Sequence, residues 1–359
     1  MRPSRIGVLA LALCLGARST AAQPPDSAAR AGLSAVERVL QARAAADSFS
    51  GAVLVAHHGK PVLRGGYGLA DREREHSVVV DTKFNLGSID KLITRIAIWQ
   101  LVAAAKLDLD ARVGTYLPDY PNPDVRERVT VRHLYSMRSG VGGFHNEEYQ
   151  LRHDRIRTVD DYLSLFAGDP LQFEPGTSML YSNGGYIILG KLIERVTGQS
   201  YYDYVLSHIT GPLGMTATRH YFLDEHVPNR AVGYTTSRGA LAPNTHSLAG
   251  RGSPAGGGYS TVDDFLKLDA ALRSGRLIQG TWADSILPAG FRTGSAEPLY
   301  YGGGGPGTNT AYASFPDGWT ILVFANNDPS GATVVAQALA GALGKSLPAG
   351  TRVLRRPGG

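Results

Sequence analysis

The chain carries strand-like segments near both ends and reads mostly as loops and helices between them. Near the start, FSGAVLVAHHGKPVLRGGYGLAD has the pattern of a hairpin, with Ala52 to Ala56 as a strand, His58-Gly59-Lys60 as the turn and Pro61 to Gly68 as the return. Near the end, TNTAYASFP and TILVFANND read as two antiparallel strands joined at Asp317-Gly318. A lone hairpin is marginal in water, so the two ends are best satisfied by one shared sheet. That sheet then has a long helical region inserted into it.

Helical periodicity fills in the remainder. Residues 27–46 place Leu33, Val36, Val39 and Leu40 at helical spacing. The most apolar helix candidate, SIDKLITRIAIWQLVAAAKL, lies between Asn85 and Leu107. Tyr186 to Val196 reads as a helix ended by Gly198, and TVVAQALAGAL as a closing helix. Pro118, Pro121, Pro123, Pro170 and Pro175 punctuate the intervening loops. The expected division is a sheet domain from residues 23–85 and 255–350, a mainly helical domain from 86–254, and a frayed tail over 351–359.

The first 22 residues are expected to be a cleaved leader. Arg2 and Arg5 form a positive start, Ile6 to Ala17 an apolar run too short to span a bilayer, and Thr20-Ala21-Ala22 a small-residue cleavage site before Gln23. Cys14 follows Leu13, where a lipidation site wants a small residue, so a lipoprotein is not favoured. Loss of Arg2, Arg5 and Arg18 would take the formal charge from +5 to +2. That balance points to no nucleic-acid partner. The mature chain would have no cysteine, which excludes a thiol nucleophile, and no later apolar run is long enough for a membrane span. The expected location is periplasmic or secreted.

Gly87-Ser88-Ile89-Asp90-Lys91 is the leading chemical candidate. Residues three apart on a helix share a face, so Ser88 Oγ and Lys91 Nζ can point into one cleft. A serine hydroxyl is inert at neutral pH until a neighbouring base takes its proton. A lysine can be that base if burial or another cation lowers its pKa. The bare spacing also fits an N-cap serine beside a surface lysine. Tyr181-Ser182-Asn183 adds a partner, because in an extended stretch Tyr181 and Asn183 face the same way. The same pattern recurs at Tyr120-Pro121-Asn122, which reads as a turn.

LYYGGGGPG, Leu299 to Gly307, requires backbone that passes close to something. Gly302, Gly304 and Gly307 fit a dinucleotide loop, but such a loop leads into a helix. Here the strand-like TNTAYASF follows, so the glycines read as a strand edge along which substrate lies. The ten histidines show no metal-ligand spacing: His57-His58 sits at the hairpin turn and His133 opens a helix. Asp71 to His76 reads as a solvated loop, and Asp263-Asp264 as a helix start. No G-x-S-x-G elbow is present.

Together these segments resemble the serine hydrolases related to class C β-lactamases, a family that includes D-alanyl-D-alanine peptidases and small-ester esterases. The resemblance runs through FNLGSIDK, KLDLDARVGTYLPDY, VTVRHLYSMRSGV, FEPGTSMLYSNGGYIILGKLIERVTGQSY, GPLGM, PAGGGYSTVDDFLKL and GGGGPGTNTAY. It implies an α/β (α+β) fold: an antiparallel sheet flanked by N- and C-terminal helices, plus an inserted mainly helical domain. The site would lie between the two, without metal or cofactor. The resemblance makes Ser88 the acyl-forming nucleophile, Lys91 and Tyr181 the general base/acid pair, and Asn183 a substrate-positioning residue. Tyr301, Gly303 and Gly304 would border the substrate, with the N–H groups of Ser88 and Gly304 as the oxyanion hole.

Two positions depart from the family pattern. Tyr301 stands where the family has a lysine or histidine that helps hold a substrate carboxylate. A phenol donates a hydrogen bond but carries no positive charge at neutral pH. Met137 stands in HLYSMRSG where the family often has a second histidine. The expected partner is therefore a small ester or amide without an obligatory carboxylate. A β-lactamase or D-Ala-D-Ala carboxypeptidase, with a peptide-like substrate, and a catalytically weak scaffold are the alternatives.

Overall fold

The computed structural model describes residues 27–348 except 237, 238, 279 and 283. The leader reading for 1–22 and the tail reading for 351–359 fall outside the described residues. Helix α1 (Ser27–Ala45) leads into β1 (Gly51–His57) and β2 (Lys60–Tyr67). Helix α2 (Lys91–Ala103), helix α3 (Asn183–Thr197) and helix α4 (Val262–Ser274) follow, with many short turns between them. The chain then forms β3 (Leu299–Gly305), β4 (Thr308–Ser314), β5 (Trp319–Ala325) and α5 (Gly331–Ala342).

The strands of both ends form one five-stranded antiparallel sheet in the order β2-β1-β5-β4-β3. β1 pairs with β5 from Gly51 opposite Ala325 to His57 opposite Trp319. Side chains alternate between faces along a strand. Ala52, Leu54, Tyr312, Leu322 and Phe324 enter one core with the central helices, while Val53, Val55, Ala311, Ile321 and Val323 enter a second beneath α1 and α5. Both faces are thus covered, and β1, β4 and β5 are buried along almost their whole length. α1 packs through Leu33, Val36 and Leu40. Val39, expected on that stripe, is 57% exposed, because a single step of about 100° from Leu40 turns it to solvent.

Asn309 on β4 fastens the glycine-rich edge. Its Oδ1 accepts the Ala332 and Thr333 N–H groups at 2.6 and 3.3 Å, satisfying the start of α5, where Ser330 makes no side-chain cap. Its Nδ2 donates to Gly303 O at 3.2 Å. On α4, buried Asp269 accepts from Tyr312 Oη (2.8 Å), Thr320 Oγ1 (2.6 Å), Arg273 Nε (2.8 Å) and Ser314 Oγ. A single carboxylate therefore ties α4 to two strands.

Local boundaries differ from the sequence reading in two informative places. The apolar helix ends at Ala103, with a separate 3-10 turn over Gly87–Asp90 before it. α3 begins at Asn183, three residues earlier than expected, because the Ser182 side chain accepts the Gly185 N–H at 2.8 Å and acts as its N-cap. Thr261 caps α4 in the same manner ahead of Asp263-Asp264, as the sequence indicates. Among the described residues no helix is long and apolar enough to cross a membrane.

Candidate active site

Ser88 sits in the tight turn between the Phe84–Asn85 strand and α2. Asn85 Oδ1 accepts the Gly87 N–H at 2.9 Å, and Gly87 takes φ +52°, a left-handed conformation that glycine adopts without steric cost. On the far side lies β3, the edge strand, which is paired only with β4. A Cβ at Gly87 would lie 3.0 Å from Gly304 N, and one at Gly303 would lie 3.0 Å from Ser88 N and strike Leu86 O. The glycines therefore do permit close approach, and what they approach is the backbone of the Ser88 turn. Edge strands leave half of their N–H groups unpaired, and Ser88 and Gly304 line one cleft.

Lys91 is 3% exposed, although it opens α2. Its Nζ meets Ser88 Oγ at 3.2 Å, Asn183 Oδ1 at 2.8 Å and Ala255 O. The rings of Tyr181 and Tyr186 lie 4.7 and 5.5 Å from it. Burial lowers its pKa from the ordinary lysine range to about 7, with Asp90 pulling in the opposite direction. A neutral amine has two hydrogens and one lone pair. Asn183 Oδ1 and Ala255 O can only accept, so they take the two hydrogens. The lone pair is then left for Ser88 Oγ, the one partner with a proton to give.

Tyr181 completes the cluster through a short hydrogen bond between its hydroxyl and Ser88 Oγ. Desolvation raises its phenol above the ordinary value, while the Ser88 hydrogen bond acts the other way. The phenol thus stays protonated near neutral pH, and Lys91 is the group able to receive a proton. Asn183 reaches Lys91 from the first turn of α3 rather than from the extended stretch expected, since the extended backbone ends at Ser182.

Tyr301 is half-buried on β3 and packs against the main core. Its neighbour in charge is Arg95, one turn beyond Lys91 on α2. Arg95 lies 3.9 Å from the Tyr135 ring centroid. Burial lowers the proton affinity of Arg95, and Tyr301, Tyr186 and Tyr135 more than offset this. A cation thus sits near position 301, but it comes from α2 rather than from β3. Met137 proves structural: its backbone has φ +58°, its carbonyl accepts the Leu180 N–H at 3.1 Å, and its side chain packs on the core. Asn122 of the second Tyr-x-Asn copy caps the Pro123–Arg128 helix and takes no part in the site.

The cleft encloses about 300 Å³ and is walled by Phe144, Tyr149, Tyr162, Tyr221 and Tyr259. Arg230 is the only lysine, arginine or acid among the described residues that line it. The guanidinium is held by the carbonyls of Phe222 and Leu223 at 2.8 and 2.9 Å. Sequence reasoning missed Ala255, whose carbonyl fixes Lys91, and missed Arg230. For Ala255 the adjacent run Gly256-Gly257-Gly258 is a signal of close backbone approach; Arg230 has no local signature.

Comparison with known proteins agrees with this fold. The beta-lactamase family model matches residues 36–346. A Bacillus subtilis (strain 168) relative named as a penicillin-binding protein, PbpX, is 28% identical over 290 residues, covering 78% of this chain and 71% of its own. The esterase EstB of Burkholderia gladioli is 36% identical over 176 residues, which span 45% of this chain and 44% of that enzyme. The crystal structure of a penicillin binding protein from Bacillus halodurans superposes with a TM-score of 0.75 at 27% identity, covering 86% of this chain and 98% of that one.

Proposed function

The chain belongs to the beta-lactamase family and is a serine hydrolase, and on that premise we propose that it forms an acyl-enzyme on Ser88 from small esters or amides and hydrolyses it with water. The observation that carries this reading is the contact set of Lys91, which leaves its lone pair to Ser88 Oγ. Neutral Lys91 takes the Ser88 proton, directly or through the Tyr181 hydroxyl, as Oγ bonds to the substrate carbonyl carbon. The N–H groups of Ser88 and Gly304 hold the resulting oxyanion, each worth about 3 kcal/mol of transition-state stabilisation. Tyr181 and Lys91 return the proton to the departing alkoxide or amine. Water then attacks the acyl carbon, giving its proton to the same pair; the Ser88 Oγ–acyl bond breaks, the pair returns the proton to Oγ, and the acid is released. Asn183 orients the substrate carbonyl side. Tyr301 brings no charge to β3, which supports substrates without an obligatory carboxylate.

A second reading has its own support. Arg230 offers a cation on the cleft wall, and one relative is named as a penicillin-binding protein, so a β-lactam or acyl-peptide carboxylate has a place to bind. Incubation of the protein with a fluorophosphonate and with penicillin, alongside Ser88→Ala, separates the readings by intact mass. Labelling by the phosphonate alone supports the esterase or amidase reading, and labelling by both supports the penicillin-recognising one. No adduct with either reagent would overturn both and favour a scaffold role. Export with cleavage after Ala22, and the division of the chain at 85/86 and 254/255, belong to the same proposal. The residues from Arg2 to Ala22 support the export, which N-terminal sequencing of the protein from a periplasmic fraction would test.

A further inference from the structure

Two residues beyond Ser88, Asp90 forms a buried pair with His220. Their side chains are 1% and 4% exposed, and His220 Nε2 lies 2.7 Å from Asp90 Oδ2. The contact is close but off the hydrogen-bond line, and Asp90 Oδ1 has no donor among the described residues. The edges of Tyr201 and Tyr202 enclose the imidazole, with centroids 5.5 and 5.3 Å away. Asp90 Oδ2 also accepts the Gly258 N–H at 2.9 Å, while Gly258 O accepts from Leu86 N at 2.8 Å. A carboxylate this deeply desolvated is costly unless partners compensate it.

Asp90 is linked to Lys91 in two ways. It precedes Lys91 on the chain, and its charge favours the protonated lysine. It also anchors Gly258, three residues after Ala255, whose carbonyl takes one of the two lysine hydrogens. Lys91 is faced by Ser88, Tyr181, Asn183, Ala255 O and Tyr186, with Arg95 one turn further on. Asp90 is faced by Lys91, His220, Gly258 N and the phenols of Tyr201 and Tyr202. Among the described residues the only acid in either set is Asp90, and the only basic side chain within 4 Å of its carboxylate is His220.

We propose that Asp90 and His220 are positioning residues that set how readily Lys91 accepts the Ser88 proton, His220 limiting the pull of Asp90 on the lysine. This rests on the reading of Lys91 as the general base. With His220 in place, Asp90 is partly compensated and Lys91 can be neutral at working pH. With His220 removed, the carboxylate turns its full charge on Lys91 and holds it protonated.

The test is the acid limb of kcat/KM for p-nitrophenyl ester hydrolysis in the wild type, Asp90→Asn, His220→Phe and His220→Gln, with melting curves at each pH. Asp90→Asn moves the limb to lower pH and His220→Phe moves it to higher pH, each by about one unit, the scale imposed by a nearby charge. His220→Gln keeps a side-chain N–H and stays close to the wild type, so the proposal is testable even if His220→Phe does not fold. An unmoved limb in Asp90→Asn, or a shift of both variants in the same direction, would overturn the pair's role. Lys91→Met distinguishes the premise: if it retains the wild-type rate and limb, the general-base reading itself fails. If it is inactive while Asp90→Asn leaves the limb unmoved, the proposal alone fails.

Discussion

Replacement of Gly303 by alanine tests how the edge strand meets the nucleophile. A Cβ at this position would come well inside 3.0 Å of both Leu86 O and Thr310 Oγ1, and to 3.0 Å of Ser88 N. Thr310 Oγ1 already donates to Leu86 O at 2.8 Å, and Leu86 O is backbone, so neither neighbour can rotate aside. The strand and the Ser88 turn must separate by something on the order of 1 Å to reach ordinary contact. A misplacement of that size in catalytic geometry costs about 100-fold in rate. Overpacking of this kind also destabilises by about 1–3 kcal/mol, so the fold should survive. The assay is kcat/KM on a p-nitrophenyl ester together with the rate of fluorophosphonate labelling and a thermal melt. Gly302→Ala and Gly305→Ala are controls, since their added Cβ would meet only Tyr300 Oη at 3.8 Å or nothing within 4 Å. A folded Gly303→Ala variant within about threefold of the wild type would refute the close-approach argument.

Three further outcomes are expected. With the Lys91 pKa lowered to about 7, kcat/KM should fall tenfold per pH unit below that value and level off above it, because only the neutral amine accepts a proton; a pH-rate profile flat from pH 5 to 8 would refute this. Tyr181→Phe removes the proton relay but keeps the ring over Lys91, so kcat should drop by about 10²–10⁴-fold with little change in melting temperature; stopped-flow acylation rates would measure it. Asp269→Ala deletes a buried acceptor of four side chains and leaves Arg273 with carbonyl and hydroxyl partners but without its counter-charge, so urea unfolding should register a loss of about 3–5 kcal/mol, with Asp269→Asn milder.

Much of the fold was legible because its signals are local. The short apolar runs in GAVLVAH and TILVFA and the alternation in TNTAYASF predict strands, and the turns at Gly59 and Gly318 predict hairpins, without knowledge of what covers either face. The helix boundary at Asn183 was less legible, since the N-cap role of Ser182 competes with the extended pattern of Tyr181 and Asn183. Val39 was misplaced because a stripe of four apolar residues is wider than the face α5 covers. In the site, Ser88 and Lys91 are tied by helical spacing, and the glycines of β3 announce a close approach without naming its object. His220 carries no local signature at all.

By itself, the sequence determined which residues could do chemistry: a serine and a lysine three apart, a tyrosine and an asparagine two apart, and a glycine strand. These are short-range properties of spacing and backbone freedom. Only the tertiary structure decided that Lys91 is buried, since desolvation depends on helices and loops far away in the chain. Only it supplied Ala255 O as the second acceptor that turns the lone pair towards Ser88. It also placed a cation near Tyr301 by bringing in Arg95 from α2, and set His220 against Asp90. Proton affinity is a property of surroundings, and in this chain those surroundings come from segments more than a hundred residues apart.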